Sequence, residues 1–145
     1  AADRIAAAGV AIMTTAPGAR AFPPVATLRA AGATVWSGCD NIRDSWSPYG
    51  DGDMLGRARM IGYRSGFNTD AELAMAFDVV TEAGARVLGL GDYGFRPGAA
   101  ADFVTLPAAH VAQAVAGAPG GREVWKAGRL IAAGGRLLEA FTRIG

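Results

Sequence analysis

The stretch Thr34-Val35-Trp36-Ser37-Gly38-Cys39-Asp40 decides how this chain is read, because a short apolar run ends on a carboxylate just where a polar loop begins. The same kind of unit precedes it. Asp3 to Ala8 is alanine-rich and helix-like, Gly9 suits a carboxyl-terminal cap, and Val10 to Met13 is a short apolar strand. Pro23 and Pro24 then open a helix over Val25 to Ala31, Gly32 closes it, and Thr34-Val35-Trp36 forms the next strand. This βαβ rhythm implies an α/β fold with parallel strands covered by helices. In such folds ligands bind beyond the carboxyl ends of the strands, so Asp40 stands where a catalytic residue would.

Beyond Asp40 the loop is dense in polar and aromatic groups: Asn41, Arg43, Asp44, Trp46, Tyr49, Asp51 and Asp53. A plain alternative is that Asp40, Asp44, Asp51 and Asp53 are solvated loop and capping carboxylates, Asp53 serving as N-cap for a helix that starts at Met54. Helical patterns cover Met54 to Tyr63, Ala71 to Val80 and Glu82 to Leu88, and Met54, Leu55, Ala58, Ile61 and Gly62 recur at the spacing of a core stripe. From Gly89 the rhythm changes. Short apolar runs at Asp102 to Leu106, Arg122 to Lys126 and Arg129 to Ala132 alternate with turn signals such as Arg96-Pro97-Gly98, Ala127-Gly128 and Gly134-Gly135. They predict a small antiparallel β region, with a helical turn near His110 to Ala116.

Composition narrows the function classes. With 145 residues, 51% apolar and 19% charged, the chain suits one globular domain. Its net charge of +1 is scattered, so neither nucleic acid nor an anionic membrane is an expected partner. The single cysteine, Cys39, excludes an internal disulfide, and no apolar run could span a bilayer. A cytoplasmic location is expected, since the opening AADRIAAAGV lacks a signal layout and resembles the last turns of a helix already in progress. Cys39 would need a histidine partner to act as a nucleophile, and the one histidine, His110, is remote and reads as a surface residue at a helix start. Trp36 and Trp125 read as core, Cys39 as a buried strand-end thiol, and the glycines of Gly89 to Gly94 as turns.

The run from Trp36 to Leu55, WSGCDNIRDSWSPYGDGDML, resembles the eighth-strand motif of cytosine deaminases and their amidohydrolase relatives, where a strand-end Asp is followed by D-x-W-x-P-x-G leading into a helix. Two further segments match in the same order. Leu90 to Val104 resembles the family's return from barrel to β-sandwich, and Val124 to Ala132 resembles its closing hairpin.

The resemblance implies the carboxyl-terminal part of a (β/α)8 TIM barrel, its last two strands and helices, followed by the carboxyl-terminal strands of a small β-sandwich. Residues 1–88 would belong to the barrel and 89–145 to the composite sandwich. It further implies a divalent metal, zinc or iron, that activates water against an exocyclic C–N bond of a small nitrogen heterocycle. Asp40 would touch that metal and take the proton of the water, and Trp46 would pack on the substrate ring. Asn41 stands where cytosine deaminases carry a second Asp, which opens the substrate class to ammelide-type triazines and creatinine-like rings. The histidine ligands of the family are absent from these residues, so most ligands would come from an N-terminal segment of the same polypeptide; relatives are commonly homo-oligomers. A non-catalytic barrel remnant, acting by binding or oligomerisation, is the competing expectation.

Overall fold

The computed structural model describes residues 1–18 and 21–138. The first helix, α1 (Ala2–Ala7), ends at Ala8, and the amides of Gly9 and Val10 turn back onto the carbonyls of Ala6 and Ile5 at 3.0 and 3.2 Å. Val10 is thereby used in closing the helix. Strand β1 accordingly spans Ile12–Thr14 instead of starting at Val10. The next unit repeats the pattern: α2 (Val25–Ala30) is followed by a turn in which Gly32 adopts φ +86°, and the amide of Ala33 bonds the carbonyl of Leu28 at 3.0 Å. Strand β2 is Val35–Ser37, one residue later than the sequence pattern indicates. The two strands are parallel, with Ile12, Met13 and Thr14 opposite Val35, Trp36 and Ser37. Trp36 is half-buried, less enclosed than a core residue.

Helix α3 (Met54–Ser65) begins where the Asp53 carboxylate accepts from the Leu55 amide at 3.0 Å and ends at Gly66 with φ +70°. It buries Leu55, Ala58, Ile61 and Gly62 as the stripe requires, while Met54 stays half-buried. Arg57 is also buried, an outcome the stripe does not anticipate. Helix α4 (Asp70–Val80) opens on a reciprocal cap between Thr69 and Glu72 and packs against α3. A kink at Thr81 separates it from α5 (Glu82–Leu88), and Gly89 ends that helix in the left-handed conformation.

The remaining strands are β3 (Phe103–Thr105), β4 (Glu123–Lys126), β5 (Arg129–Ala133) and β6 (Arg136–Leu137), antiparallel in that order. Strand β6 extends the expected set: Gly134 and Gly135, at φ +57° and +80°, act as the two-residue turn of a further hairpin. Trp125 stacks on Phe103, ring centroids 5.6 Å apart, across β3 and β4. Helix α6 (Val111–Gly117) leaves this sheet and packs on α3 and α4, placing Ala114 and Val115 in the same core as Val25, Leu28, Val35, Ile61 and Val79. His110 caps α6, its Nδ1 accepting from the Gln113 amide at 3.3 Å, in line with a helix-start role. Residues 139–145, the end of the expected sandwich portion, lie outside the described residues.

Candidate active site

The carboxyl ends of β1 and β2 are held side by side. Ser37 Oγ donates to the Thr14 carbonyl at 2.6 Å, and Thr14 Oγ1 accepts from the amide of Ala16 at 3.1 Å. From α3, Arg57 Nη1 donates to the Thr15 carbonyl at 2.5 Å, and Arg64 donates to the Ala16 carbonyl while its guanidinium lies 4.5 Å from the centre of the Phe22 ring. Two arginines therefore fasten the loop after β1. Beyond each strand a non-glycine residue takes up left-handed backbone: Ala16 at φ +66° and Asp40 at φ +55°. Such backbone costs free energy in an L-residue, least for Asp and Asn, and persists where the surroundings enforce it.

Asp40 sits exposed at the foot of the following loop. Cys39, beside it, is half-buried instead of fully enclosed, and its thiol lies 3.4 Å from Met54 Sδ. The loop itself is tightly braced. Amides of Arg43 and Asp44 bond the carbonyls of Tyr49 and Ser47 at 3.0 Å each, and Gly50 at φ +102° passes so near Asn41 that a Cβ there would come 3.2 Å from the Asn41 carbonyl. Asp44 organises the tip: Oδ2 accepts from the Asn41 side chain at 2.8 Å, and Oδ1 accepts from the amides of Trp46 and Ser47 at 2.9 and 3.1 Å. The Asn41 hydrogen bond, followed by that of the Trp46 amide, holds the Asp44 carboxyl below the usual carboxylate range. Trp46 stands on this tip with 84% of its surface exposed. Asp40 and Trp46 are thus at the foot and the tip of one ordered loop.

At its far end the loop is tied to the turn between α6 and β4. Asp51 accepts from the Asp53 amide at 2.9 Å, and Asp53 is paired with Arg122, Oδ1 to Nη1 at 2.6 Å and Oδ2 to Nη2 at 3.1 Å. Burial alone would raise the Asp53 carboxyl, but the hydrogen bonds and charge of Arg122, with the amides of Gly56 and Leu55, outweigh it and hold it below its ordinary value. Sequence reading finds Asp53 as a cap and misses Arg122, because nothing in local spacing links residues 69 positions apart.

Among the described residues no three His, Cys, Asp or Glu side chains gather to hold a metal ion. Asp40 would be a single ligand, so these residues do not by themselves fit a divalent metal, which needs several converging donors. No described helix is long and apolar enough to cross a membrane.

Known proteins resemble this chain in sequence and fold. The chain is 40% identical over 84 residues to N-isopropylammelide isopropyl amidohydrolase of Pseudomonas sp. (strain ADP), a match that takes in 57% of this chain and 21% of that protein. It superposes on the crystal structure of N-isopropylammelide isopropylaminohydrolase from Burkholderia multivorans ATCC 17616 with a TM-score of 0.87 and 44% identity, over 94% of this chain and 35% of that one. With 5-methylcytosine deaminase from Klebsiella pneumoniae, liganded with 5-fluorocytosine, the TM-score is 0.68 at 30% identity, over 81% of this chain and 28% of the other. The chain spans only about a fifth to a third of the length of these relatives. A model of the amidohydrolase family matches residues 1–132, which takes in both parallel strands, the loop of Asp40 and the antiparallel sheet as far as β5, and the chain therefore belongs to the amidohydrolase family.

Proposed function

We propose that these residues form the carboxyl-terminal part of a hydrolase that cleaves an exocyclic C–N bond on a small nitrogen heterocycle, with an N-alkylated ammelide as the leading substrate class. The observation that carries this reading is the 44% identity and 0.87 TM-score to N-isopropylammelide isopropylaminohydrolase across nearly the whole chain. Strands β1 and β2 would be the last two strands of a (β/α)8 barrel, residues 1–88 its closing part and 89–145 a share of a composite β-sandwich. The enzyme would work in the cytoplasm.

In this reading the Asp40 carboxylate takes a proton from the water that attacks the ring carbon. The new C–O bond forms first, leaving the ring carbon tetrahedral, and the C–N bond then breaks as the amine leaves with the proton returned to it. Trp46 would pack on the ring of the substrate. A divalent metal, zinc or iron, would take most of its ligands from outside these residues.

The test is amine release from N-isopropylammelide, and ammonia release from cytosine, by the full native polypeptide. Asp40→Asn should lower kcat by about 10²–10⁴-fold, the range for loss of a general base. Wild-type turnover in that variant would remove Asp40 from the mechanism. A parent protein inactive on both compounds would favour a non-catalytic role in binding or oligomerisation.

A further inference from the structure

We propose that Asp53 and Arg122 form a positioning catch, which fixes the far end of the Asp40 loop to the turn between α6 and β4 and so sets where Trp46 stands over the substrate. The proposal rests on the C–N hydrolase reading for its kinetic consequence, but not for its structural one. The loop is a stiff hairpin-like unit internally, through the Arg43–Tyr49 and Asp44–Ser47 backbone bonds. Its freedom therefore lies in its two feet. One foot leaves β2 next to the Ser37–Thr14 hydrogen bond, and the other is Asp53.

Arg122 suits the task because its own position is fixed. Its Nε donates to the Pro119 carbonyl at 2.7 Å, and Nη2 reaches the Ala118 carbonyl at 3.3 Å as well as Asp53. Ala118 ends α6 at φ +43°, and α6 is packed on α3 and α4. The guanidinium thus joins the turn after α6 to the start of α3 and the loop before it. The partners are 23% and 28% exposed, shielded enough for a two-pronged pair to hold its geometry. Gly56 leaves the carboxylate room: a Cβ there would stand 3.1 Å from Asp53 Oδ2. Lysine could not replace the fork, since an ammonium cannot bond both carboxylate oxygens and two carbonyls in one plane.

Kinetics and hydrogen exchange together distinguish a positioning catch from a merely stabilising ion pair. Asn caps helices as well as Asp does, so Asp53→Asn keeps the start of α3 while removing the charge pair. Asp53→Asn, Arg122→Gln and the double variant are made in the full native polypeptide and compared for N-isopropylammelide kinetics, Tm and amide hydrogen exchange over residues 41–50. A catch predicts faster exchange in that segment and a loss of about ten- to a hundredfold in kcat/KM, as for a displaced site group. The double variant should be no worse than either single one, and Arg122→Lys should recover only part of the loss. Unchanged exchange in the segment, or a lowered Tm with intact kinetics, would overturn the catch. A parent protein without turnover whose loop still loosens in these variants would instead refute the hydrolase reading alone.

Discussion

Ser37 and Thr14, the last residues of the two parallel strands, are both buried and joined by a side-chain hydrogen bond of 2.6 Å from Ser37 Oγ to the Thr14 carbonyl. The bond fixes the spacing of the strand ends from which the loops of Ala16 and Asp40 depart. Ser37→Ala strands a buried carbonyl and should cost about 1–3 kcal/mol, whereas Ser45→Ala on the exposed loop should stay within about 0.5 kcal/mol. Urea midpoints of the two variants decide it; equal midpoints would deny the bond any special weight.

The Asp44 carboxylate supports Trp46 by accepting from its backbone amide. Asp44→Ala removes the acceptor of the Trp46 and Ser47 amides and of the Asn41 side chain. If Trp46 packs on the ring in the Michaelis complex, KM for N-isopropylammelide should rise about tenfold with a smaller change in kcat, the pattern of lost binding common to ground and transition states. A kcat effect of Asp40 size with unchanged KM would move Asp44 into the chemistry.

The Asp53–Arg122 pair carries a defined pH dependence. The folded Asp53 carboxyl lies below its ordinary value, so its contribution is fully present above about pH 4–5 and is lost as pH falls through the lowered folded pKa. Asp53→Asn lacks that group. The stability gap between parent and variant, read from urea midpoints, should therefore be constant near neutrality and shrink as the pH falls below the ordinary carboxylate range. A gap that persists undiminished in acid would mean the carboxylate charge contributes nothing.

The turn between β4 and β5 is strained in a correctable way. Ala127 and Gly128 are its central residues at φ +49° and +72°, and Asp102 Oδ1 accepts from the Ala127 amide at 2.7 Å. A two-residue turn with both φ values positive favours Asn-Gly, because alanine in left-handed backbone is penalised. Ala127→Asn should stabilise by about 0.5–1 kcal/mol, seen as a raised Tm. A lowered Tm would show that the Asp102 contact, not the backbone, governs this turn.

The helices and the parallel pair are legible in the chain because their signals are local. Gly9 and Gly32 stop helices where left-handed backbone is needed, and the apolar runs that follow them are buried as strands under helices. Asp40 and Trp46 stand out for the same reason, as parts of one unbroken motif after β2. Strand limits slip by one or two residues, since backbone bonds such as Val10 to Ile5 assign a residue to a cap or a strand and leave no mark on its identity. What joins distant segments is invisible at that level: Arg57 and Arg64 holding the loop after β1, α6 completing the core of α3 and α4, and Arg122 closing on Asp53. An arginine on a helix or at a strand start is ordinarily a solvated charge, and only the folded chain brings its fork to a carbonyl or a carboxylate, where burial makes the pairing matter.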